Sequence, residues 1–253
     1  LVAGRLGVAA LLMWLIVRLR RTQIQQDRTL WRTFAVVGLL NGALPYYLIS
    51  WGEQFIPSGW AALLQATTPI FTILLAHFIT EDDRITPQKL AGVVLGFGGV
   101  GILMWPELQS GLGAPVLGML AIVGSSLSYA FASIYARSRL HNQPPMIAAA
   151  GQFTMGFGYI LPLALVIEAP WTITPSTRAI LSWATLALLG TVIAYTIYYE
   201  LLNRTNATFT TMVTYIVPIN GLLLGAVVLN ETLSPALLLS LGLVLGGVLL
   251  VRQ

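Results

Sequence analysis

The chain contains no cysteine, which excludes disulfides, thiolate metal sites and thiol nucleophiles. Histidine is nearly as scarce: His77 and His141 are too far apart in sequence for a His-Glu-x-x-His zinc site. Charge is sparse as well, at 9% of 253 residues, against roughly a quarter in ordinary soluble domains. A chain so poorly charged, and 57% hydrophobic, cannot cover a globule in water. Apolar runs of about 20 residues fill it instead, the length that crosses a bilayer core as a helix.

Nine such runs are predicted to span a membrane: Leu1 to Val17, Thr33 to Trp51, Pro57 to Ile79, Gln88 to Trp105, Pro115 to Ala136, Met146 to Glu168, Ala179 to Leu201, Ala207 to Leu229 and Pro235 to Val251. The links are mostly short and leave no room for a separate soluble domain. Of the 13 basic residues, only Arg5 and Arg178 fall on one side. The others, among them Arg18, Arg20, Arg21, Arg28 and Arg32, fall opposite and mark the cytoplasmic face. A multi-pass protein of the inner (cytoplasmic) membrane, with its C-terminus inside, is expected. The net charge of +4 therefore reports topology and gives no support to a nucleic-acid partner.

A proline-centred segment occurs twice. Tyr47 matches Tyr199, Pro69 matches Pro218, Asp83 matches Glu231, Pro87 matches Pro235, and Gly98-Gly99-Val100 matches Gly246-Gly247-Val248, at a nearly constant offset. Internal duplication in so apolar a chain points to a transporter built from two halves. The halves are read as residues 1–108 and 115–253. Four spans precede Pro115 and five follow, so a complete duplication implies one further helix before Leu1 and ten in all. With five spans per half the copies must face opposite sides. The loop charges agree: the link after Trp51 lacks Lys and Arg, whereas its counterpart after Leu201 carries Arg204.

The stretch PSGWAALLQATTPIFTILL from Pro57, followed by an acidic residue, Thr-Pro and a glycine-rich helix, resembles the EamA family of the drug/metabolite transporter superfamily. TFTTMVTYIVPINGLLLGAVVLNETLSP resembles the same motif in that family's second repeat, and GRLGVAALLMWLIVRLRR resembles its second helix. The resemblance covers essentially the whole chain. It implies a small-molecule exporter of amino acids, purines, sugars or drugs, with first-helix residues helping to line a central cavity. Asp83 departs from the family pattern, which has Glu there.

Several intramembrane groups are candidates for lining such a cavity. Pro69 and Pro218 each remove a helix hydrogen bond and free a carbonyl, which in a membrane needs a partner or a wet cavity. The competing reading is a packing kink. Gln65 and Thr214 each lie four residues before their proline and so project from its face. Asn41, Gln152 and Asn220 are further polar groups inside spans, where such side chains face the bundle interior or bond a neighbouring helix. Tyr46, Tyr129 and Tyr195, with Tyr159 and Tyr198, lie deep enough to offer an aromatic wall and a hydrogen bond to a zwitterionic or aromatic substrate. Trp51, Trp60, Trp105, Trp171 and Trp183 lie near span ends, as interfacial belts do.

No carboxylate occupies the middle of a span, so a buried proton carrier of the kind that drives many exchangers is not visible. Asp83 and Glu231 are expected to cap the helices that follow them, beside Thr86-Pro87 and Ser234-Pro235, and Glu200 to pair with Arg204. Gly96-Phe-Gly98-Gly99-Val-Gly101 matches a dinucleotide fingerprint but lies inside an apolar helix, which voids the match. Gly92 with Gly96, Gly221 with Gly225, and Gly242 with Gly246 are small-residue pairs that let helices approach.

The chain is thus expected to be all-α and polytopic, an inverted repeat of five-helix halves around a cavity near the bilayer midplane. It is expected to move small metabolites by alternating access, without catalysis, metal or cofactor. The bilayer and a small-molecule substrate are the implied partners, and a homodimer is compatible. The competing function is a membrane scaffold or receptor assembled through its glycine faces.

Overall fold

The computed structural model describes residues 1–22, 27–80, 85–168, 172, 174–228, 231 and 234–251. Asp83, Trp171, Arg84 and Arg252 lie outside the described residues. All regular structure among the described residues is helical. Among the described residues, eight helices are long and apolar enough to cross a membrane: α1 (Val2–Leu19), α2 (Arg28–Gly52), α3 (Ser58–Ile79), α4 (Pro87–Gln109), α5 (Ala114–Leu140), α6 (Pro145–Glu168), α7 (Thr177–Arg204) and α8 (Ala207–Val228). A ninth apolar helix, α9 (Pro235–Val251), has 17 residues. The chain is an all-α polytopic membrane protein.

Several helices outrun the apolar windows because polar caps, not hydropathy, decide where they begin. Asp27 Oδ1 accepts from Thr29 N at 3.1 Å, so α2 begins at Arg28 instead of Thr33. Ser176 starts α7 in the same way, accepting from Ala179 N at 3.2 Å, and Thr86 starts α4 by accepting from Lys89 N at 3.2 Å. Each cap satisfies one of the donors that a helix start leaves open.

The chain forms two compact units. One comprises Leu1–Tyr46 and Tyr135–Asn206, the other Tyr47–Ile134 and Ala207–Gln253. Each draws on both halves of the sequence, and the boundaries fall inside α2, inside α5 and between α7 and α8.

In the first unit, α6 is the hub, packed by α1 and α2. Glycines let the backbones of α2 and α6 close up: a Cβ on Gly38 would lie 2.6 Å from Met155 Cβ and 2.7 Å from the Gln152 carbonyl. Leu6, Met13, Phe34 and Phe153 fill the remaining space and are fully buried. Trp14 Nε1 donates to Thr154 Oγ1 at 2.8 Å and ties α1 to α6.

In the second unit, α4 packs along α9 and α3 packs on α8, around Leu63, Leu64, Leu103, Met119, Ile122 and Val244. A Cβ on Gly99 would meet the Ser240 carbonyl at 2.8 Å, and one on Gly247 would meet the Gly92 carbonyl at 2.5 Å. The glycine that brings α9 close is therefore Gly247, whereas Gly242 and Gly246 face open space. Adjacent residues on a helix differ by about 100° in direction, so the pair singled out from sequence points away from α4.

Candidate functional site

Carbonyls released from the helix ladder organise the polar chemistry. Proline lacks an N–H, so Pro45 in α2 leaves the carbonyl of Asn41, four residues back, without its helical donor. The helix answers with a π turn over Leu39–Ala43, a form that recurs at functional sites. The freed Asn41 carbonyl then accepts from Gln152 Nε2 of α6 at 3.2 Å and from Tyr195 OH of α7 at 3.3 Å.

The side chains close the circuit. Asn41 Nδ2 donates to Gln152 Oε1 at 2.9 Å, and Tyr199 OH donates to the same oxygen. Asn41, Gln152 and Tyr199 are buried, so three helices are joined by polar groups that satisfy one another. The Phe153 ring packs edge-on against Tyr195 at 4.8 Å between centroids. In lipid an unsatisfied amide or carbonyl would cost several kcal/mol, which is why these groups appear together.

A second cluster in the same unit surrounds Arg5, in the second turn of α1. Its Nε donates to Thr191 Oγ1 at 2.6 Å. Nη2 donates to the Gly190 carbonyl at 3.1 Å and to Tyr46 OH at 3.4 Å, and the guanidinium carbon lies 4.4 Å from the centre of the Tyr46 ring. Gly190 and Thr191 belong to a π turn, Leu188–Ile193, within α7. Holding an arginine within a span is costly, and these neighbours supply compensation.

In the second unit, the proline-bearing helices α3 and α8 pack directly on one another, close enough that a Cβ on Gly221 would lie 2.3 Å from Ala62 Cβ. Beside this contact lies a cleft of about 450 Å³ lined by Glu53, Ser58, Gln65, Val217, Leu224 and Gly225, among others. The Gln65 side chain makes no hydrogen bond among the described residues and lines this cleft. Both helices lose α geometry just before their proline. In α3 the break falls at Ala66 and Thr67, between Ser58–Gln65 and Thr68–Ile79. In α8 a 3₁₀ turn, Met212–Tyr215, precedes Pro218.

The Gln65 carbonyl freed by Pro69 accepts from Thr68 Oγ1 at 2.8 Å and from Ser126 Oγ at 3.5 Å. The Thr214 hydroxyl is occupied within its own helix, donating to the Thr211 carbonyl at 2.7 Å.

The structure thus brings Asn41, Gln152 and Tyr195 together, with Tyr46 on Arg5 in the same unit. Gln65, Pro69, Tyr129, Thr214, Pro218 and Asn220 belong to the second unit; Pro69 and Pro218 are buried, and Asn220 is exposed. Sequence reasoning passed over Tyr199 and Thr191, and it used Arg5 only for topology. The available signal was that Arg5 is the one basic residue inside the first predicted span.

Glu231 corrects another expectation. Its carboxylate caps α3, not the helix that follows it. Oε1 accepts from Ser58 N at 2.9 Å and Ser58 Oγ at 2.8 Å, and Oε2 accepts from Gly59 N at 3.1 Å. Ser234 caps α9, its Oγ accepting from Leu237 N at 3.2 Å. Burial works to raise the Glu231 pKa, but the bonds from the Ser58 hydroxyl and the two backbone N–H groups outweigh it and hold the carboxyl below its usual value. Glu200 and Arg204 pair as expected, with Arg204 Nε donating to Oε1 at 2.6 Å.

Residues 1–105 and 116–253 match the sequence profile described as the EamA-like transporter family. The chain is 33% identical over 219 residues to the uncharacterised inner membrane transporter YedA of Escherichia coli (strain K12), covering 86% of this chain and 69% of that protein. It is 23% identical over 244 residues to the uncharacterised transporter YoaV of Bacillus subtilis (strain 168), covering 96% and 83%. A solved crystal structure superposes with a TM-score of 0.74 at 18% identity, covering 99% of this chain and 86% of that one, and so shares its fold.

Proposed function

This chain belongs to the EamA-like transporter family, and we propose that it exports small metabolites, amino acids or related compounds first among them, across the inner membrane by alternating access. The observation that carries this reading is the family match over nearly the whole chain. The helix breaks before Pro69 and Pro218 support it, because alternating access requires spans that can bend at defined points. In this reading residues 1–108 and 115–253 are inverted repeats and the C-terminus is cytoplasmic. Gln65 and the Asn41, Gln152 and Tyr195 group stand along the solute path. The chain performs no catalysis.

The glycine faces that a scaffold would use for assembly are in large part taken up inside the chain, at Gly38, Gly99, Gly221 and Gly247. Cells expressing the full-length gene should accumulate a restricted set of amino acids or close relatives in the medium, above cells carrying an empty vector. Identical exported profiles, with the protein present in the membrane, would contradict the proposal.

A further inference from the structure

Arg5 is a cation inside a span with no carboxylate beside it among the described residues. The first unit holds three carboxylates, Asp27, Glu168 and Glu200, and none of them contacts Arg5. Asp27 caps α2 and Glu200 pairs with Arg204. Every contact that Arg5 makes among the described residues is to a neutral group: the Thr191 hydroxyl, the Gly190 carbonyl, and the hydroxyl and ring of Tyr46.

Those contacts fix the guanidinium without discharging it. Nε and Nη2 are occupied, whereas Nη1 carries no hydrogen bond among the described residues. Stacking on an aromatic ring and bonding to a rigid carbonyl are how a guanidinium is held ready for a planar, two-oxygen acceptor. Snorkelling would turn the side chain towards the near end of α1. Here it reaches Gly190 and Thr191, near the middle of the 28-residue helix α7. Cations placed in this way within spans mark paths for charged solutes.

We propose that Arg5 is the subsite for the carboxylate of the transported solute, with Tyr46 and Thr191 as positioning residues. The proposal rests on the transporter reading and narrows it to solutes that bear a carboxylate. A free carboxylate offers two coplanar oxygens to the guanidinium, whereas the corresponding amide offers one oxygen and an NH₂ that repels it.

The test uses purified full-length protein in liposomes and a panel in which each common L-amino acid is paired with its amide and its N-acetyl derivative. The proposal expects the free acid and the N-acetyl compound, which both keep the carboxylate, to be transported with an apparent affinity about tenfold or more above that of the amide. Arg5→Gln should collapse this ratio towards one by weakening only the carboxylate compounds. Arg5→Lys, which keeps the charge but loses the planar fork, should retain part of it.

A wild-type ratio near one overturns the proposal while leaving transport intact, and this comparison requires no variant to fold. An equal loss for acid and amide in Arg5→Gln, with the variant folded, also overturns it by assigning Arg5 a structural role. No flux of any compound by folded wild-type protein overturns the transporter reading, and the proposal with it.

Discussion

Glu231 and Ser58 lie 173 residues apart in sequence, yet one carboxylate oxygen accepts both the backbone N–H and the hydroxyl of the serine. The link preceding α9 therefore fastens the start of α3. Because its pKa is lowered on folding, Glu231 contributes stability that is fully present above the ordinary glutamate value of 4.5. That stability is lost as pH falls through the lower folded value. Glu231→Gln should lower thermal stability at neutral pH by about 1–2 kcal/mol, the usual worth of a charged cap. The gap between variant and wild type should close as the pH is lowered below the ordinary glutamate value. Melting curves in detergent across that range check both points.

The Asn41 and Gln152 pair predicts coupling. Gln152→Leu strands the Asn41 side-chain amide and the Tyr199 hydroxyl and leaves the Asn41 carbonyl only its bond from Tyr195, and should cost about 1–2 kcal/mol. Adding Asn41→Leu should cost less than the sum of the single changes, because both partners then leave together. A double-mutant cycle on unfolding free energy measures the coupling; strict additivity would show that the pair is not an energetic unit.

Close packing predicts a contrast between glycines. Gly38→Ala would drive a methyl group into Met155 and the α6 backbone, at a cost of about 1–3 kcal/mol from overpacking. Gly98→Ala meets nothing within 4 Å and should be neutral or slightly stabilising. Equal thermal stability of the two variants would contradict the helix faces described above.

The breaks before Pro69 and Pro218 predict a kinetic effect. Alanine at either position restores the missing donor, straightens the helix and should slow transport several-fold while leaving expression and melting temperature nearly unchanged. Wild-type flux at matched expression would show that the breaks are packing features alone.

Much of the helical architecture was legible because bilayer thickness imposes a length that hydropathy reports directly. Proline was legible too, since its missing N–H acts wherever it sits; Pro45 shapes the Asn41 site by the same rule that singled out Pro69 and Pro218. What stayed hidden depends on which surfaces meet. Tyr47 and Tyr199 match in the duplication, yet Tyr47 is 48% exposed and Tyr199 is fully buried, because duplicated sequence does not dictate equivalent neighbours. Glu231 read locally as a cap for the next helix, since nothing in its vicinity names Ser58. Arg5 was absorbed into a charge count that ignores where a guanidinium points.

The central claim is transport, and flux from liposomes tests it most directly. Liposomes containing the purified full-length protein and loaded with a labelled amino-acid mixture should release a subset of those amino acids faster than protein-free liposomes. The rate should saturate with internal concentration and fall in Pro69→Ala and Pro218→Ala. Release no faster than from protein-free liposomes, with the protein folded and correctly inserted, would contradict the account.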